Sequence, residues 1–171
     1  MDPDRFRELS RDFRAEAVND LCRAILFDSK CCAYLTSSEL LSREASVEVG
    51  RAVARLDPNL ELQLARHALS CVEEGASEAA LQSLAILDGI GAGARINPLL
   101  VKIAHLDDRK VRSRATALLV KTCRSPKQIE LWLGDPDPRV RGNIPESLTP
   151  AEFNRYWLEK VFLNCASDEN H

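Results

Sequence analysis

The chain has 171 residues, 45% hydrophobic and 29% charged, the balance expected of one soluble domain with a buried core. A formal net charge of −3 supplies no global attraction to nucleic acid or acidic membrane, and no run of about 18 apolar residues offers a transmembrane span. The acidic start Met1-Asp2-Pro3-Asp4 is unlike a signal peptide, and six cysteines without metal-ligand spacing read as reduced thiols, so the expected compartment is the cytoplasm.

In chain order, Phe6, Leu9, Phe13, Ala17, Leu21 and Ile25 fall at helical spacing, and residues 1–36 are expected to form a degenerate N-terminal cap. Ser37 opens an outer helix, and Ser46 is expected to cap an inner helix that ends at Asp57-Pro58. A second outer helix spans Leu60 to Glu73 and ends at Gly75, and Ser77 is expected to cap the inner helix after it. The cluster Gly89, Gly91 and Gly93 lacks a preceding strand and the lysine of a phosphate loop, so it reads as a flexible connector. Asn97-Pro98 opens an outer helix running to Leu106, and Arg109 to Thr122 is the next inner helix. Ser125-Pro126 opens a short outer helix ending at Leu133, and Asp137-Pro138 opens an inner helix that Gly142 and Pro145 should shorten or kink. Thr149-Pro150-Ala151-Glu152 reads as a capping box for a C-terminal capping helix over 149–164, followed by a polar tail, 165–171.

The inner helices repeat at 31 and then 29 residues: Val18, Val49, Ala80, Val111 and Val140 share one position, and Cys22, Val53, Leu84, Ala115 and Ile144 the one four residues on. Ile25, Leu56, Leu87, Leu118 and Ser147 follow at seven, and Leu41, Val72, Ile103, Trp132 and Val161 form a matching outer column. A two-helix unit of this length, with Asp in the turn and Val-Arg opening the second helix at Asp108–Arg112 and Asp137–Arg141, resembles the HEAT-like repeat family, closest to its short phycobilisome-lyase subtype. The resemblance covers residues 37–148. It implies an all-α, right-handed α-solenoid (α–α superhelix) of about four to five helical hairpins, armadillo-like, within a single domain over 1–171.

Chemistry is not legible. His67 and His105 are read as having no partner at a ligand spacing such as i+4, and Trp132 and Trp157 read as core residues. No catalytic motif, cofactor site or metal site is expected. Charge is unevenly spread: residues 95–141 hold 11 Lys/Arg against 5 Asp/Glu, between acidic flanks. Arg112, Arg114, Arg139 and Arg141 cluster at two successive inner-helix starts and are the candidate partner-binding residues. Arg112 and Arg141 are expected to pair with Asp108 and Asp137 four residues back, leaving Arg114 and Arg139 as freer donors. The leading expectation is a non-enzymatic scaffold binding an acidic protein partner along its inner-helix face. A nucleic-acid binder or DNA-glycosylase-like protein using the basic block ranks second. A bilin-lyase-type chaperone, implied only by the repeat subtype, ranks third.

Overall fold

The computed structural model describes residues 43–54, 60–91, 93–123, 125–148 and 153–166, which hold eight α-helices, one 3-10 turn and no strand. The expectations for 1–36, Leu41, Leu56, the capping box at 149–152 and the tail from 167 lie outside these residues, as does the side chain of Val53. No helix among the described residues is long and apolar enough to cross a membrane. The chain forms two compact units, Met1–Ile96 and Asn97–His171.

The first unit contains α1 (Arg43–Val53), α2 (Leu60–Glu73), α3 (Ser77–Ile90) and a 3-10 turn at Ala94–Ile96. On α2, Leu60, Leu64, Ala65, Ala68 and Cys71 recur every three or four residues, and this face is buried against α3. The helix stops where expected. Gly75 takes a left-handed φ of 79°, and Gly75 N–H bonds Val72 O while Ala76 N–H bonds Cys71 O, a Schellman closure. That turn also moves the next cap: Ala76, not Ser77, holds the cap position of α3, with no side-chain cap bond. Ser46 is not a cap either, because α1 already covers Arg43 and Ser46 is buried within it.

α3 is buried around most of its circumference, with Ala80 and every residue from Gln82 to Leu87 inside, because α1 and α2 both pack on it. The first glycine of the cluster is part of that packing rather than of a loose connector. Gly89 lies within α3, and a Cβ there would sit 2.0 Å from Val47 O; a Cβ on Gly50 would sit 2.1 Å from Ile86 O. Only bare backbone permits so close an α1–α3 approach. Gly91 then closes α3 at φ 73°, its N–H bonding Asp88 O and Leu87 O.

The second unit holds α4 (Asn97–Ala104), α5 (Arg109–Thr122), α6 (Pro126–Leu133), α7 (Pro138–Ser147) and α8 (Arg155–Ala166). α5 packs between α4 and α7, and α7 also meets α6 and α8. Val120, Cys123, Ile129, Ile144, Leu148, Val161 and Cys165 form a core that Trp132, Phe153 and Trp157 pack against. Asp108 and Asp137, the turn aspartates of the repeat, cap α5 and α7: Asp108 accepts from Lys110 N and Val111 N, and Asp137 from Arg139 N. Asn97 and Ser125 differ. Asn97 Oδ1 accepts from the Thr122 hydroxyl at 2.8 Å, and Ser125 makes no side-chain cap bond. Pro145 does not end α7, which continues to Ser147. Proline removes the N–H that would reach Arg141 O, and the Cys165 thiol points at that carbonyl from 3.9 Å. α8 (expected over 149–164) starts only at Arg155 and runs to Ala166, taking in Cys165 from the expected tail, with Asn154 Oδ1 accepting from Tyr156 N and Phe153 stacked on Trp157 at 4.8 Å.

The inner-helix columns are buried wherever they are described. Val49, Ala80, Val111 and Val140 lie inside, as do Leu84, Ala115 and Ile144, and then Leu87, Leu118 and Ser147. In the outer column Ile103 and Val161 are buried, while Val72 and Trp132 are half-buried.

Candidate interaction surface

The turns before α5 and α7 share one hydrogen-bond pattern, shifted by 29 residues. His105 N–H bonds Lys102 O and Leu106 N–H bonds Ile103 O; Gly134 N–H bonds Leu131 O and Asp135 N–H bonds Trp132 O. Each turn ends at a capping Asp, and each helix then carries an Arg that reaches back six residues. Arg112 Nη1 donates to Leu106 O at 3.3 Å, and Arg141 Nη1 donates to Asp135 O at 2.6 Å. Side chains on a helix lean toward its N-terminus, which aims both guanidinium groups at the preceding turn.

This geometry corrects the expected i,i+4 ion pairs. Asp108 and Asp137 turn their carboxylates onto helix N–H groups, and Arg112 pairs with Asp135 of the following turn instead. Arg112 Nη2 donates to Asp135 Oδ1 at 3.4 Å, and Nε lies 3.2 Å from Oδ2, an ionic contact too poorly aligned to be a hydrogen bond. Asp135 Oδ1 also accepts from Asp137 N at 2.8 Å, so one carboxylate joins its own turn to the previous helix. Both side chains are about 85% buried, with 15% and 16% exposed. Asp135→Ala is therefore expected to lower stability by about 2–3 kcal/mol, since it strands a largely buried guanidinium, while Asp135→Asn, which keeps the turn bond, loses less. Urea denaturation of the two variants checks the order.

Of the four candidate residues, Arg112 and Arg141 are half-buried and tie turns together. Arg114 is half-buried and also engaged within the chain, so it is not a free donor. Arg139 is exposed. Ser113 Oγ donates to Arg139 O at 3.2 Å and accepts from Asn143 Nδ2 at 2.6 Å, which sets the start of α7 against the first turns of α5. The exposed cations there also include Arg109 and Lys110, which periodicity alone did not separate from the internal arginines. The middle of α5 offers no surface, because Ala115 through Val120 are all buried.

Two further clusters sit elsewhere. On α2 and α3, His67 Nδ1 lies 3.2 Å from Ser83 Oγ and 3.4 Å from Cys71 Sγ. Cys71 stands at i+4 from His67, so the expectation of no partner at that spacing does not hold. Ser83 Oγ donates to Ala79 O, leaving a lone pair for His67 Nδ1–H. Burial pushes the Cys71 thiol up, and Glu74 adds to the rise, so the arrangement favours a thiol rather than a nucleophilic thiolate. Burial holds His67 below its ordinary 6.5, opposed by Glu74. A histidine whose folded pKa is depressed stabilises the neutral form, so its contribution is intact above 6.5 and is lost as pH falls through the folded value. Thermal melts from pH 7.5 to 5.5 should show stability falling on acidification, and His67→Gln should flatten that slope; identical slopes would sink the assignment.

On α6 and α8, an open cleft of about 310 Å³ is lined by Glu130, Leu133, Gly134, Lys160 and Val161. Trp157 Nε1 donates to Glu130 Oε1 at 3.1 Å, and both tryptophans pack against the core while staying half-buried. His105 is exposed, with Nδ1 bonded to Val101 O. Among the described residues no three His, Cys, Asp or Glu side chains converge as a metal site. No family model, curated protein or solved structure matches the chain.

Proposed function

We propose that the chain is a non-enzymatic HEAT-like scaffold, a right-handed solenoid of four to five helical hairpins, that binds an acidic segment of a protein partner at the starts of α5 and α7. The observation that carries the reading is the duplicated turn, with the same backbone bonds and the same Arg-to-carbonyl reach 29 residues apart. Repetition of a turn brings helix starts to one edge of a repeat stack and places their exposed cations in a row. Arg109 and Arg139 are the exposed guanidinium groups of that edge, suited to bidentate contact with carboxylates. The tryptophans are held in or against the core rather than presented as stacking platforms, which supports a protein over a nucleic acid.

Fluorescence anisotropy with a labelled poly-glutamate peptide, beside labelled single- and double-stranded DNA, tests this at low salt. Peptide binding that drops at least 10-fold in Arg109→Glu/Arg139→Glu supports the reading. DNA binding that exceeds peptide binding, with a salt slope of about −0.9 per phosphate contact, would replace it with the nucleic-acid alternative. No binding of either probe, or binding unchanged by the reversal, makes the basic edge a solvated surface.

A further inference from the structure

We propose that α8 is the contact helix of a symmetric homodimer, pairing antiparallel with α8 of a second copy about a two-fold axis between Glu159 and Lys160. The inner side of α8 is occupied, with Val161 and Cys165 buried and Trp157 and Leu158 packed on the core. Its outer side is not charged throughout, as an ordinary solvent-facing helix would be. Tyr156 is 78% exposed and Leu163 69%, and these apolar residues stand seven apart on one stripe with Glu159 and Lys160 between them. Phe162, 45% exposed, flanks the stripe.

The order of these residues specifies the partner. Read outward from the midpoint between Glu159 and Lys160, the stripe is acidic then apolar toward the N-terminus, and basic then apolar toward the C-terminus. An antiparallel two-fold pairing therefore places Tyr156 on the partner's Leu163 and Glu159 on the partner's Lys160, each contact made twice. A parallel pairing would set Glu159 on its own equivalent and Lys160 likewise, which like-charge repulsion disfavours. Within the chain, Glu159 pairs with Arg155 and Lys160 lies 3.8 Å from Glu130, both at exposed positions where contacts exchange at little cost. The helix is 12 residues long, and three apolar side chains with two charges offer on the order of 300–400 Å² per copy. Doubled, that stays below the ~1,200 Å² of stable complexes, so the dimer is weak and salt-sensitive.

Sedimentation equilibrium of the full chain from about 5 to about 500 μM at low salt reads the outcome. The weight-average mass should rise from the monomer's 19.0 kDa toward twice that value across the range. Tyr156→Ser/Leu163→Ser should weaken association at least 10-fold with the helical circular dichroism unchanged. Glu159→Lys and Lys160→Glu should each weaken self-association, and an equimolar mixture of the two should associate again, since the hetero-pair regains both opposite-charge contacts. A monomer at the highest concentration overturns the proposal. So does association that neither the apolar nor the charge variants change, or single reversals that mixing fails to rescue.

Discussion

Gly50→Ala is expected to lower the stability of the α1–α3 pair by about 3 kcal/mol or more, at the upper end of overpacking costs. The added methyl would meet Ile86 O at 2.1 Å, with Gly89 Cα at 2.8 Å and Ile90 N at 2.9 Å. All three obstacles are backbone, so no rotamer change relieves them, and the helices must part. Separation then weakens the dispersion contacts of the side chains between them. Gly89→Ala should behave alike, because its methyl would meet Val47 O at 2.0 Å. Gly93→Ala is the internal control: its nearest neighbour would be Glu61 Oε1 at 3.6 Å, an ordinary contact with a side chain that can move. Urea denaturation of the three variants should separate the first two sharply from the third. A Gly50→Ala protein as stable as Gly93→Ala would mean the helices are not this close in solution.

Leu84→Asp is expected to cost about 4–5 kcal/mol. Leu84 has no exposed surface, on the side of α3 enclosed by α1 and α2. Replacement forfeits its burial and places a carboxylate in a fully enclosed position. Leu84→Ala keeps the site neutral and should cost about 3 kcal/mol, so the difference between the variants measures the charge. Ala115→Asp makes the same demand in the second unit, where Ala115 is fully enclosed on α5. Thermal melts of Leu84→Asp indistinguishable from wild type would contradict the packing of α3.

The sequence made the helices legible where the deciding interaction is local. The span of α2 and its stop at Gly75 follow from apolar spacing and from glycine's access to positive φ, both written within a few residues. The aspartate caps of α5 and α7 are legible for the same reason. Ser46 and Ser77 show the limit: a serine before an apolar column matches a cap, but the helix start depends on how the preceding turn closes. The candidate site was half legible. The clustering of four arginines at two helix starts was visible, but which of them face inward was not. Arg112 finds Asp135 at a separation of 23 residues, and no i+4 rule anticipates that contact. The Gly50–Gly89 approach is hidden in the same way, because a missing Cβ gives no periodic signal.

The buried thiols turn both units into their own reporters of breathing motions. Cys71 lies on α2 in the first unit, and Cys123 and Cys165 line the core of the second. A thiol reagent cannot reach them in the closed structure, so its reaction rate measures how often each neighbourhood opens. Cys165 sits beside the carbonyl that Pro145 leaves without a helical donor, at the junction of α7 with α8. Cys123 is anchored at the end of α5, its N–H bonded to Leu119 O. Alkylation followed by mass spectrometry would thus time the detachment of the last helix against the opening of the core beneath it. The same chain would report both clocks with no label added.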